Sequence, residues 1–111
     1  MTSQGSTESS GANVIELPSD ITIQTVDETY RQLIEAIRTT PYIVVKLGPN
    51  AAIDLAGVQL LIAAREAARD SGGEFCLAVA AENGLLGTLR RGGFLQAADQ
   101  RAFWLKEKGQ P

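Results

Sequence analysis

Residues 42–47 read YIVVKL and residues 74–80 read EFCLAVA. Both runs are almost continuously apolar, the pattern of a strand covered on both faces. Between them, residues 55–70 carry a helical pattern rich in Ala and Leu that closes on Ser71-Gly72-Gly73, where glycine completes a last turn. A buried strand, a helix and a second buried strand in succession imply a crossover unit, which is right-handed almost without exception and sets the two strands parallel. The fold class is therefore α/β, with residues 42–47 as a central strand.

The flanking sequence extends this pattern. Residues 14–17 and 21–23 are short apolar, β-branched runs separated by Pro18-Ser19-Asp20, and read as two short strands or one interrupted edge strand. Thr25 and Glu28 have the spacing of a capping box. Beyond them Val26, Tyr30, Leu33, Ile34 and Ile37 form one apolar stripe, with Arg31, Glu35 and Arg38 outside it, so a first helix over 26–39 stops before Pro41. Residues 83–91 support a short helix with Leu85, Leu86 and Leu89 apolar, halted by Gly92-Gly93. The last segment, 94–111, is open to two readings, since Phe103-Trp104-Leu105 suits an edge strand or a terminal helix; Trp104 belongs to the core or to a partner contact rather than to chemistry. Residues 1–12 are small and polar without periodicity, which predicts a disordered tail ahead of a single domain over 13–111. A chain of 111 residues, 44% apolar, suits one core.

Several kinds of chemistry are disfavoured. The chain has no histidine, which removes the commonest general base and any Ser-His-Asp or Cys-His arrangement. Its single cysteine, Cys76, falls within a strand of the buried kind and reads as a structural thiol. No spacing resembles a zinc motif, a calcium loop or a phosphate-binding loop, so no cofactor and no metal are expected. With a formal charge of −3 and no basic segment, nucleic acid is not an expected partner. The first residues lack a signal-peptide pattern and no apolar run nears the ~20 residues of a membrane span, so a cytoplasmic protein without membrane insertion is expected.

The junction at residues 54–57, Asp-Leu-Ala-Gly, has the most to say about function. It lies where a strand-like run meets the long helix, and an Asp there caps the first free amides and suits the helix dipole. Capping alone accounts for the residue type.

The strand YIVVKLG, the junction AIDLAGVQLLIAAREAARDSGGEF, the strand FCLAVA and the late helix ENGLLGTLRRGGF together resemble the STAS domain of anti-sigma-factor antagonists and related bacterial regulators, over about residues 14–95. The resemblance implies a mixed β-sheet of about four to five strands with helices packed mainly on one face. In that family the junction usually reads Asp, then Ser or Thr, then a small residue, then Gly; Asp54, Ala56 and Gly57 match. The resemblance also implies phosphorylation of the hydroxyl after the Asp by a switch kinase that is itself the partner, a modification that blocks docking by its charge. Here that position is Leu55 and its neighbour is Ala56, so no phosphoacceptor is expected.

The resemblance places partner contacts on the same helix, at Asp54, Leu55, Ala56, Gly57, Val58, Gln59, Ile62 and Glu66. It implies a non-catalytic protein–protein interaction module whose partner is a switch kinase, a receptor or a chemotaxis component. An alternative is the STAS subunit of a phospholipid-transport ABC complex, bound to its ATPase subunit. A homodimer built on Leu55, or a small enzyme or ligand carrier using Asp54 as a base, are readings of other classes. Whether Leu55 is exposed or packed inward separates several of these.

Overall fold

The computed structural model describes residues 13–17, 20–40, 42–48 and 52–106. In chain order they form β1 (Asn13–Glu16), β2 (Asp20–Ile21), α1 (Val26–Thr39), β3 (Tyr42–Lys46), β4 (Ala52–Ile53), α2 (Leu55–Asp70), β5 (Glu74–Leu77), α3 (Asn83–Gly92) and α4 (Ala98–Leu105). The expected tail, residues 1–12, lies outside the described residues.

Strand β3 is central, with β1 on one side and β5 on the other, while β2 and β4 form a separate pair. Among the described residues five strands are present, divided between a three-stranded sheet and a separate pair rather than joined in one mixed sheet, and all three described pairings are parallel. Moving from β1 to β3 to β5 always steps across the sheet in one direction. Right-handed crossovers that step one way put their helices on one face, and α1 and α2 accordingly pack against each other.

The register shows what that arrangement does to the strands. Ile43 pairs with Phe75 and Val45 with Leu77, and all four are buried. On the other face Val44 pairs with Val14 and Cys76, while Tyr42 pairs with Glu74 and Lys46 with Glu16. Val14 is 57% exposed, Tyr42 is 47% exposed, and Val44 and Cys76 are half-buried. This corrects two expectations. The near-continuous apolar run of β3 is covered fully on one face only, and the Cys76 thiol is partly exposed rather than sealed in the core.

Both long helices begin and end where the sequence places them, though α1 starts differently. Thr25 makes no cap bond; its hydroxyl accepts from the Thr22 amide (3.1 Å) and donates to the Asp20 carbonyl (3.0 Å), closing the turn from β2, so the expected capping box does not form. Within α1, Leu33 and Ile37 are buried together with Thr29, while Tyr30 is 38% exposed. Helix α2 ends on a left-handed Gly72 (φ 83°). There the Gly73 amide donates to the Ala68 carbonyl and the Gly72 amide to that of Arg69, each at 2.9 Å, which satisfies two of the helix's last carbonyls. The C-terminal segment is a helix. Its Phe103 and Trp104 are buried, and the Trp104 indole donates to the Gln100 side-chain carbonyl (3.1 Å).

Candidate protein-interaction face

Asp54 ties three backbone groups together at the mouth of α2. Its Oδ1 accepts the Gly57 amide (3.1 Å), the expected N-cap bond. Its Oδ2 accepts the Ile23 amide (3.2 Å), and its own amide donates to the Ile21 carbonyl (3.3 Å). One side chain thus caps the helix and pins the turn that follows β2 against it.

Gly57 explains how closely these pieces approach. A Cβ there would collide with the Ile21 carbonyl oxygen and come within 2.8 Å of the Ile53 Cγ2. Only glycine lets the first turn of α2 settle on β2 and β4. Gly57 is consequently buried, and Val58 beside it has no exposed surface. Neither is able to touch a partner, which takes both off the expected contact set: they lie on the side of the helix that faces the strands.

The remaining expected residues divide by helical spacing. Leu55, Gln59 and Glu66 are exposed, and Ala56 and Ile62 half-buried, so positions 55, 59, 62 and 66 run down one outward stripe. Leu55 is 51% exposed, which answers the question the sequence leaves open. Ile23, whose amide is fixed by Asp54, is 71% exposed and enlarges the apolar surface at the mouth of the helix.

A groove of about 340 Å³ opens beside Leu55, between the start of α2 and the last turns of α3, lined by Asp54, Leu55, Thr88, Arg91 and Gly92. Ile23, Thr88 and Arg91 are not among the residues expected at the site, because the contacts that bring them here join distant segments. The doublet Arg90-Arg91 was the one local signal available. A wider trough of about 710 Å³ lies along β5, between α4 and the second half of α2. There Arg65 stacks over the Phe103 ring (4.7 Å to its centre) and, with Arg69, donates to Asp99 at 2.9–3.1 Å. The hydrogen bond from Arg65 lowers the pKa of Asp99, burial opposes it, and attraction to Arg65 and Arg69 adds to the lowering. The arginines of that trough are thus already paired.

Comparison with known proteins adds one decisive match. A model of the STAS domain aligns with residues 6–102, most of the chain. The chain belongs to the STAS domain family. No curated protein and no solved structure gives a match. The STAS domain begins its second long helix here without a hydroxyl at 55 or 56. Among the described residues, no helix is long and apolar enough to cross a membrane, and no group of acidic, Cys or His side chains is placed to hold a metal ion.

Proposed function

We propose that this STAS domain is a non-catalytic interaction module of a cytoplasmic bacterial regulatory pathway, docking a protein partner through the outward stripe of α2. The observation that carries the reading is Leu55, a large apolar side chain half exposed at the start of a helix whose family position holds a phosphorylated hydroxyl. Such a residue costs free energy in water and returns it on burial, roughly 25 cal/mol per Å² of apolar surface covered. The exposed Ile23 is tied to the same helix mouth through Asp54, and Gln59, Ile62 and Glu66 continue the surface, with Ala56 between the rows and Asp54 holding the mouth in place. Since neither Leu55 nor Ala56 accepts phosphate, docking is not switched at this position. The absence of histidine from the chain favours binding over catalysis.

A switch kinase, a receptor or a chemotaxis component is the partner this reading expects. Affinity capture from the native lysate, with wild type and Leu55→Asp side by side, tests it. A regulatory protein retained only by the wild type supports the proposal. A transporter ATPase retained instead moves the protein to the phospholipid-transport reading, and identical retention by both proteins removes Leu55 from the interface.

A further inference from the structure

The groove beside Leu55 holds an arginine that no described carboxylate pairs with. Helix α3 contains no acidic residue and ends in Arg90 and Arg91, both exposed. Arg91 makes one weak hydrogen bond to the Thr88 hydroxyl (3.4 Å), and neither arginine forms an ion pair with a described carboxylate. Asp54 shares the groove, but both of its oxygens already accept backbone amides. One cation, Arg91, therefore lines the groove beside an exposed leucine without a described carboxylate partner, and Arg90 precedes it in the chain.

We infer that the partner segment seated in this groove is acidic, carrying a carboxylate close to a large apolar side chain. The inference rests on the docking reading above and specifies the chemistry of what docks. The apolar side chain covers Leu55 and the carboxylate meets Arg91, whose planar fork suits a carboxylate better than a lysine would. Arg90 adds long-range attraction, which raises the association rate and makes it sensitive to salt. The placement of both arginines at a helix C-terminus also suits the helix dipole, yet that accounts for their position on α3 and not for the apolar surface beside them.

The test uses a displayed library of random linear peptides, selected on the full chain, with the enriched peptides resynthesised and their affinities measured. Wild type is expected to enrich peptides with Asp or Glu within a residue or two of a large apolar side chain. Their binding should weaken about tenfold or more in Arg91→Glu, weaken less in Arg91→Lys, and fall as salt is raised. Leu55→Asp should lose it as well. Both sites are exposed, so unchanged thermal melting is the control for folding. Enriched peptides without acidic bias, or binding indifferent to Arg91→Glu, overturn the inference. If binding needs Leu55 and ignores Arg91, the docking surface stands and only its acidic occupant falls; failure to enrich any peptide counts against both.

Discussion

Asp54 and Gly57 do different work within one turn of helix. Asp54→Ala removes the acceptor for two backbone amides, Gly57 and Ile23, and the cap alone is typically worth ~1 kcal/mol. We expect urea denaturation to show at least that loss, with Asp54→Asn milder because an amide oxygen still caps. A loss near zero would mean that water replaces both bonds. Gly57→Val should cost more than Ala56→Ser, since its Cβ collides with backbone: ~2 kcal/mol or more against roughly 0.5 kcal/mol. Equal losses would contradict the close approach of α2 to β2. At this scale the sequence was partly legible. A cap is local, so Asp54 and its Gly57 bond could be read directly, whereas its bond to Ile23 spans 31 positions and left no local mark. Val58 was misplaced on the surface because its neighbours match a family junction, although its i, i+3 spacing to Leu61 already assigns it to the core side.

Elements were legible in proportion to their length. The 14 residues of α1 and 16 of α2 carry enough period to fix type and ends, while β4, only two residues long, has no period to detect. The covering of β3 was overread. An apolar run shows that a strand is central, but whether its second face meets a layer depends on the direction of crossovers elsewhere. The final helix was ambiguous because Phe103 and Trp104 suit either element. Burial of Phe103 and Trp104 in the core holds α4 in place, with the Ala81 amide bond to the Trp104 carbonyl (2.7 Å) and the Asp99 pairing with α2 adding to it. That pairing has a pH signature. The Asp99 pKa is lower in the folded chain than in the unfolded one, so its contribution is present once the unfolded carboxyl ionises and disappears as pH falls through the folded value. Asp99→Asn should therefore be less stable than wild type at neutral pH, by a small margin because Asp99 is half exposed. In acid below the ordinary carboxylate range the two stability curves should meet; a gap that stays constant down to that pH would show that Asp99 acts through packing instead.

At the scale of the whole molecule, among the described residues, the outward stripe of α2 with Leu55 and the open face of the sheet with Val14 are both open to a partner. Both residues are apolar and about equally exposed, at 51% and 57%. They lie in different settings, however. Val14 is on an edge strand beside the Glu16–Lys46 pair, in a row with the half-buried Val44 and Cys76. Leu55 projects beside a groove carrying Arg91, at a helix mouth pinned by Asp54, which also binds the Ile23 amide. The proposed docking surface is the one with Leu55, which the STAS junction, held rigid by one carboxylate and one glycine, presents. The most direct measurement is the affinity of the captured partner for wild type, Leu55→Asp and Val14→Asp, each first shown by thermal melting to be folded. The account predicts a loss of about tenfold or more for Leu55→Asp and near-wild-type binding for Val14→Asp. Full binding by Leu55→Asp with loss in Val14→Asp would contradict it and move the interface to the open face of the sheet.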